Sequence, residues 1–208
     1  MIPLFVDCTH RRIIIFGGGD VAARKAAYFA GKAEVMVVSR SLQQKIQNLP
    51  LVCRECDVST LSDTALGSLV DSAFLVIGAL SDPAQNNRIG RLCRDRGILF
   101  NNADGEPGDV ILPSVTGGIN YTLAISTQGS SPAMSRFIRE HLEQNFPALD
   151  SMIALQQRLR AELKRTEPDQ KKRNGVLWNV LEDPKVWQAL SADTDGAWEL
   201  VTEMHLHG

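Results

Sequence analysis

A run of apolar residues meets a glycine-rich turn in Arg12-Ile13-Ile14-Ile15-Phe16-Gly17-Gly18-Gly19-Asp20-Val21-Ala22. The turn has the spacing G-x-G-x-x-A through Gly17, Gly19 and Ala22. Gly17 permits a tight turn out of a strand, Gly19 lets the backbone approach a diphosphate, and Ala22 lets the next helix pack closely on that strand. The N–H groups at the start of such a helix favour negative charge. We therefore predict a dinucleotide-binding turn, and the alternative is a tight turn without a ligand.

Outward from this turn, the first hundred residues alternate apolar runs with helix-compatible stretches. The predicted strands cover residues 12–16, 34–39, 51–58, 74–80 and 98–102, and the predicted helices cover 20–30, 41–48, 60–71 and 82–96. Strands separated by single helices are typical of βαβ crossovers and hence of a parallel sheet. The strands are continuously apolar, as expected for a sheet covered on both faces. The pattern predicts the α/β class with a Rossmann-type parallel sheet.

The pattern changes after residue 102. The turn cluster 105–108 precedes two predicted strands, 110–112 and 121–126, which we expect to form an antiparallel hairpin. Further helices are predicted at 131–145, 149–165, 176–181, 184–190 and 196–204, and the polar stretch 167–175 is predicted to be a mobile connector. We therefore expect three parts: a dinucleotide-binding domain over 1–104, a hairpin-and-helix segment over 105–147, and a helical domain over 148–208.

Composition excludes several classes of protein. The 208 residues include 22 Lys and Arg against 24 Asp and Glu, and the net charge of −2 gives no reason to expect nucleic acid or an anionic membrane as a partner. No apolar run approaches the roughly 18 residues of a membrane span, and the first residues lack the pattern of a signal peptide. Four cysteines are too few for a disulfide framework. We expect a cytoplasmic protein.

The spacing of cysteines and histidines gives only weak evidence for a metal site. Cys53 and Cys56 lie three apart on a predicted strand, so they face opposite sides, and no second pair completes four ligands. His205 and His207 are at the chain end, where residues are often poorly ordered. We therefore predict no metal site and expect the cysteines to be buried, unreactive thiols.

The end of the second strand leaves the choice of dinucleotide open. An acidic residue is expected there in NAD-binding folds, but the sequence has Ser39-Arg40-Ser41. An arginine is typical of recognition of the NADP 2′-phosphate, yet a serine or a backbone group also binds a 2′-OH, and an arginine also stacks on adenine. This rule alone does not decide between NAD and NADP.

Several motifs together resemble one family. Gly17-Gly18-Gly19-Asp20-Val21-Ala22-Ala23-Arg24-Lys25 is similar to the GGGxVAxRK signature of the precorrin-2 dehydrogenases, which include the N-terminal module of siroheme synthases. The other matches keep the family's order: Ser81-Asp82-Pro83 with Asn86, Asn101-Asn102-Ala103-Asp104, Leu112-Pro113-Ser114, Ser126-Thr127-Gln128-Gly129-Ser130-Ser131-Pro132, and Arg136 and Arg139 with Glu140. The resemblance covers about residues 1–165.

The resemblance implies a homodimer that oxidises precorrin-2 to sirohydrochlorin with NAD⁺, in the biosynthesis of siroheme or a related tetrapyrrole. It also implies that the segment 105–147 is the dimerisation and active-site segment. Some members also insert iron, so insertion of iron or cobalt is a further expectation. The NAD preference of the family outweighs the ambiguity at Arg40. The residues that the resemblance assigns to the dinucleotide are Gly17, Gly18, Gly19, Asp20, Val21, Ser39, Arg40 and Ser41.

For the tetrapyrrole site, the resemblance makes Asp104 the functional carboxylate. Asp104 closes the fifth predicted strand, at the sheet edge where ligands bind in open α/β folds. There it is placed to accept a proton, and the alternative is that it only begins a turn.

Four residues are candidates for binding the substrate, which carries eight carboxylates: Thr127, Ser131, Arg136 and Arg139. Thr127 stands where relatives often carry a serine. A helix beginning at Ser131 offers its N-terminus to a carboxylate. Arg136 and Arg139 offer cations, but pairing with acidic residues of their own helix is an equally good interpretation.

A rival hypothesis is a module that binds NAD as a regulatory ligand without turnover. This hypothesis explains the glycine-rich turn, but it does not give Asp104 and the helix after Ser131 a shared function.

Overall fold

The computed structural model describes residues 1–206, and they form two compact units, the first over 1–112 and the second beginning at 113. Residues 207 and 208, and with them His207 of the predicted histidine pair, lie outside the described residues. None of the helices in the described part of the chain has the length and hydropathy of a membrane span.

The first unit is built on a parallel sheet of five strands. They are β1 (Arg12–Phe16), β2 (Glu34–Ser39), β3 (Val52–Glu55), β4 (Leu75–Gly78) and β5 (Leu99–Asn102), in the spatial order β3-β2-β1-β4-β5. In register, Ile15 of β1 lies between Val37 of β2 and Ile77 of β4. The order reverses direction beside β1, and the carboxyl edge at such a point is where ligands bind in open α/β sheets. The predicted Rossmann-type fold is confirmed.

Helices connect these strands and cover both faces of the sheet. They are α1 (Asp20–Phe29), α2 (Gln44–Gln47), α3 (Asp63–Val70) and α4 (Pro83–Arg94), with a 3₁₀ turn at Val58–Thr60. The apolar side chains of β1 alternate between two buried clusters: Ile14 and Phe16 pack with α3 and α4, whereas Ile13 and Ile15 pack with α1. The four residues Ile13–Phe16 are fully buried, which explains the continuous apolar run.

The segment that follows Asp104 belongs to the first unit. The Val110 N–H donates to the Phe100 carbonyl at 3.1 Å, and Asn101 Nδ2 donates to the Val110 carbonyl at 2.7 Å. Val110 and Leu112 also pack on the α1 side of the sheet. The boundary between the units therefore lies at residue 112, beyond the predicted boundary at 104.

The second unit begins with an antiparallel hairpin, β6 (Ser114–Gly117) and β7 (Thr122–Ile125). The hairpin was predicted, but placing its first strand at 110–112 was wrong, because Val110 and Leu112 bury their apolar side chains against the first unit's sheet. Strand β6 includes residues 116 and 117, which lie between the two predicted strands.

Helices make up the rest of the second unit. They are α5 (Pro132–Asn145), α6 (Leu149–Thr166), α7 (Gln170–Glu182), α8 (Pro184–Ala192) and α9 (Thr194–Val201), followed by a π-helical turn at Thr202–Leu206. One face of α6, from Met152 to Leu163, forms a separate core with α7, α8 and α9. The predicted connector 167–175 is mostly helix, because the Asp169 carboxylate accepts from the N–H groups of Lys171 and Lys172 and starts α7.

Candidate dinucleotide-binding and active site

A cavity of about 740 Å³ lies at the carboxyl edge of the first unit's sheet. It is lined by the glycine-rich turn after β1 and by the residues that follow β2, β3, β4 and β5. Nine residues predicted from the sequence lie together in its wall: Gly17, Gly18, Gly19, Asp20, Val21, Ser39, Arg40, Ser41 and Asp104.

The glycine-rich turn packs against its neighbours too closely for side chains at two positions. Gly17 has φ +128°, which favours glycine, and a Cβ there would lie 2.2 Å from the Ala79 carbonyl oxygen. A Cβ on Gly18 would lie 1.8 Å from the Ser41 carbonyl oxygen. The turn is therefore held directly against the ends of β2 and β4.

Gly19 differs from the other two glycines. Among the described residues no heavy atom lies within 4 Å of a Cβ built on Gly19, and no side chain from that part of the chain caps the first turn of α1. Its extended backbone, φ −88° and ψ −168°, does not itself require glycine. The N-terminus of α1 thus faces open space in the cavity, which fits the diphosphate of a dinucleotide.

Four acidic residues line the cavity, Asp20, Asp57, Asp82 and Asp104, and the pKa values of two of them are lowered. Asp20 pairs with Lys45 of α2, and this hydrogen bond and charge hold the Asp20 pKa below its usual value. Asp57 accepts hydrogen bonds from the Ser59 side chain and N–H, which lower the Asp57 pKa, with a smaller contribution from Arg40. Sequence reasoning missed Asp57, although an aspartate two residues after a parallel strand is a detectable signal.

Asp104 lies on the turn after β5, with its side chain exposed. Its N–H donates to Asn102 Oδ1 at 3.3 Å, and its carbonyl accepts from Asn86 Nδ2 at 3.2 Å. Asn87 Oδ1 accepts from the Glu106 N–H at 2.9 Å and from Asn102 Nδ2 at 3.1 Å. Three asparagines therefore define the backbone of this turn and leave the Asp104 carboxylate open to a ligand.

Asn86 also holds the loop after β4. It is completely buried, and it bonds both the N–H and the carbonyl of Leu80, each at 3.0 Å. Leu80 lines the cavity, so one side chain joins two parts of its wall.

The predicted substrate-binding residues lie in the second unit, where β7 leads into α5. The Thr127 hydroxyl donates to the Ser131 carbonyl at 2.9 Å and accepts from the Ser131 N–H at 3.0 Å. Ser131 caps α5 by accepting from the Met134 N–H at 3.2 Å. Both hydroxyls therefore shape the start of α5, which confirms the predicted helix start.

Arg136 and Arg139 form ion pairs along α5. Arg136 Nε lies 2.7 Å from Glu140, and Arg139 binds both oxygens of Glu143 at 2.8 Å. Hydrogen bonds from Thr116 and Arg139 lower the Glu143 pKa. The interpretation of these arginines as members of intrahelical pairs thus describes the structure, and their binding of substrate stays a prediction.

Comparison with known proteins gives the family. The family model described as "Putative NAD(P)-binding" matches residues 4–114. A precorrin-2 dehydrogenase of Methanosarcina barkeri (strain Fusaro / DSM 804) is 38% identical over 203 residues, which are 95% of this chain and 90% of that protein. The chain belongs to the precorrin-2 dehydrogenase family. The predicted resemblance is confirmed, and so is NAD as the cofactor.

Two further proteins are similar to this chain, one in sequence and one in fold. A siroheme synthase of Sodalis glossinidius is 31% identical over 203 residues, and the match covers 92% of this chain but 42% of that protein. The chain therefore spans less than half the length of that relative. A solved structure described as "SirC, precorrin-2 dehydrogenase" has the same fold, with a TM-score of 0.73, 20% identity, and coverage of 98% of this chain and all of that one.

The thiols of this family member differ from the prediction. Cys53 is exposed on β3 and Cys56 is half-buried beside the cavity, so the prediction that both are buried was wrong. The reason is that β3 is an edge strand. Among residues 1–206, no group of three or more His, Cys, Asp and Glu side chains is arranged to hold a metal ion. His205 lies 3.3 Å from the Asp183 carboxylate.

Proposed function

We propose that this protein oxidises precorrin-2 to sirohydrochlorin with NAD⁺ as the hydride acceptor. The observation that carries the proposal is the cavity in which the glycine-rich turn and Asp104 share one wall, in a chain of the precorrin-2 dehydrogenase family. Such an oxidation requires a turn that binds the dinucleotide and a carboxylate that accepts the proton. A protein that only senses NAD would need the dinucleotide-binding turn but not the carboxylate.

The reaction removes one hydride and one proton from the tetrapyrrole. NAD⁺, when bound at the glycine-rich turn, would supply the acceptor for the hydride. Asp104 accepts the proton as a general base, because its carboxylate is exposed and its backbone is fixed by Asn86 and Asn102. The proton then passes to water, so Asp104 returns to its ionised form.

Residues of the glycine-rich turn hold the cofactor. The N-terminus of α1 at Gly19, Asp20 and Val21 takes the diphosphate through its N–H groups and its dipole. Ser39, Arg40 and Ser41 take the adenosine end, as the corresponding segment does in dinucleotide-binding folds.

Thr127, Ser131, Arg136 and Arg139 bind carboxylate groups of the substrate. The two arginines are paired with glutamates, but such surface pairs are worth only about 0–1 kcal/mol, so an incoming carboxylate can compete for them. Repulsion between the substrate and the glutamates would work against this exchange. Substrate binding by Arg136 and Arg139 therefore requires Glu140 and Glu143 to turn aside.

We further propose that the protein is a homodimer in the cytoplasm. The hairpin β6–β7 and α5 supply the dimer contact, because they carry exposed apolar side chains. Ile119 at the hairpin tip is 95% exposed, and Met134 and Phe137 lie three apart on α5.

Anaerobic absorbance spectroscopy with precorrin-2 and NAD⁺ tests the proposed activity. A sirohydrochlorin spectrum that forms only with both protein and NAD⁺ is expected. NAD⁺ binding without oxidation would replace the proposal by the sensing module. Addition of ferrous or cobalt ion afterwards, against a control without protein, measures the metal insertion that the family resemblance implies.

A further inference from the structure

The end of β2 is the part of this fold that distinguishes NAD from NADP. In dinucleotide-binding sheets, an acidic residue there bonds the ribose 2′-OH of NAD, whereas an arginine accommodates the 2′-phosphate of NADP. In this chain β2 ends at Ser39 and is followed by Arg40 and Ser41. The segment therefore carries a guanidinium and the Ser41 hydroxyl at the position where an acidic side chain would repel a phosphate.

Arg40 is available to a ligand in the cavity. It lines the cavity wall, and its side chain is 82% exposed. The Arg40 guanidinium lies 3.9 Å from the Asp57 carboxylate, which is longer than a hydrogen bond. Exposed ion pairs of this kind are weak, so turning Arg40 towards a phosphate costs little. A guanidinium also binds phosphate through two parallel hydrogen bonds.

Asp57 is a carboxylate beside Arg40 that would oppose a phosphate. Its Oδ1 atom accepts from the Ser59 N–H at 3.0 Å and from the Ser59 hydroxyl at 2.6 Å, while Oδ2 faces Arg40. Asp57 thereby caps the 3₁₀ turn that follows β3. Its charge is partly compensated by these donors, which reduces its repulsion of a phosphate.

Ser39 cannot replace the missing acid. Its side chain is buried, and its hydroxyl accepts a long hydrogen bond from the Ser41 N–H at 3.4 Å. A Cβ on Gly18 would also lie 2.8 Å from this hydroxyl, so the Ser39 hydroxyl packs closely against Gly18. Arg40 and Ser41 are therefore the residues of this segment that can recognise the 2′ substituent of the ribose.

We infer that this protein binds NADP⁺ as well as NAD⁺, with the Arg40 guanidinium recognising the 2′-phosphate. The inference rests on the proposed function, since it concerns the same hydride acceptor. With NADP⁺ the hydride yields NADPH, and one proton is released as in the reaction with NAD⁺.

Calorimetric titration of the full chain with each dinucleotide, without tetrapyrrole, tests the inference. We expect the NADP⁺ dissociation constant to lie within about tenfold of that for NAD⁺. Arg40→Ala should weaken NADP⁺ binding about tenfold or more and NAD⁺ binding less than about threefold. Asp57→Asn keeps a residue that can cap the 3₁₀ turn and should strengthen NADP⁺ binding. Arg94→Ala, an exposed arginine of α4 outside the cavity wall, is the matched control and should change neither constant.

Each contrary outcome has a separate meaning. Binding of NAD⁺ alone would overturn the inference and leave the proposed function intact. Equal weakening of both dinucleotides by Arg40→Ala would also overturn it, because stacking on adenine would then explain the role of Arg40. Failure to bind either dinucleotide would remove the proposed function and the inference together.

Discussion

Asn86, a completely buried side chain of α4, donates a hydrogen bond from Nδ2 to the main-chain carbonyl of Asp104 at 3.2 Å. The same carboxamide bonds both main-chain groups of Leu80. The turn that carries the proposed base and the loop after β4 thus share one buried partner. Because Asn86 bonds only the backbone of Asp104, it positions the carboxylate without engaging it.

Replacement of Asn86 should reduce stability strongly. Asn86→Ala leaves the N–H of Leu80 and two carbonyls without this partner, and we expect unfolding to become easier by about 2–3 kcal/mol. Urea denaturation followed by circular dichroism measures the change. Asn48→Ala, at an exposed asparagine after α2, is the control and should change the free energy of unfolding by less than about 0.5 kcal/mol. Equal effects of the two variants would contradict the positioning role of Asn86.

Removal of the Asp104 charge should affect turnover and not binding of the cofactor. Asp104→Asn keeps the backbone bonds and the side-chain size but cannot accept the proton, so we expect turnover to fall about 100-fold or more. NAD⁺ affinity should stay within about threefold in a titration. Glu106→Gln, an exposed carboxylate on the same turn, serves for comparison. Normal turnover of Asp104→Asn would remove this residue from the mechanism.

Charge at Gly19 should block the dinucleotide without unfolding the protein. Gly19→Asp puts a carboxylate where the α1 N-terminus faces the cavity, in a backbone conformation that aspartate adopts easily. Gly19→Asn adds nearly the same volume without charge. We expect the aspartate variant to bind NAD⁺ at least about tenfold more weakly than the asparagine variant, with similar melting temperatures. If both variants bind NAD⁺ equally, the diphosphate does not lie at this turn.

A charge on the exposed face of α5 should separate a dimer. Phe137 is 59% exposed and stacks on His141 with ring centroids 6.0 Å apart, so Phe137→Glu replaces an apolar contact surface with a charge. We expect the wild type to be dimeric and this variant monomeric at micromolar concentration in sedimentation experiments. Trp178→Glu tests an exposed aromatic side chain on α7, outside the proposed contact. A monomeric wild type would exclude the dimer.

Alkylation of each cysteine in the folded protein should depend on how deeply its side chain is buried. Burial raises the Cys93 pKa to about 12, and the side chain is fully enclosed. Alkylation requires the thiolate, so Cys93 should remain unlabelled in the folded protein at pH 8, whereas exposed Cys53 is labelled. Raising the pH to 9 should leave folded Cys93 unlabelled, because this pH is still well below its pKa. Mass spectrometry after iodoacetamide treatment, with unfolded protein as reference, measures both sites.

The sequence predicted best where one physical rule controls the structure. Strands covered on both faces must be apolar throughout, so β1, β2 and β4 are visible as apolar runs. The glycine-rich turn is visible because close backbone approach excludes side chains. The end of β3 was not predicted, because the chain turns at Asp57 through a local cap that apolar patterning does not reveal.

Elsewhere, tertiary contacts changed the expected structure. Val110 and Leu112 have the composition of a strand, but their burial against the first unit's sheet removes them from the hairpin. The polar stretch before Val176 suggested a mobile connector, yet Asp169 caps a helix there. The pairing of Arg136 with Glu140 follows from their spacing of four, whereas Asn86 needed the structure to show that it bonds Asp104.

The two edge strands of the parallel sheet differ in how accessible they are to another protein molecule. Along β5, Val110 and Asp109 bond the main chain of Phe100 and cover that edge. The opposite edge is β3, whose four residues are exposed. An edge strand of this kind can pair with the edge of another molecule and start aggregation. Its short length and the adjacent charges of Arg54 and Glu55 oppose such pairing, so we attribute to these two side chains a role in keeping partly folded chains apart.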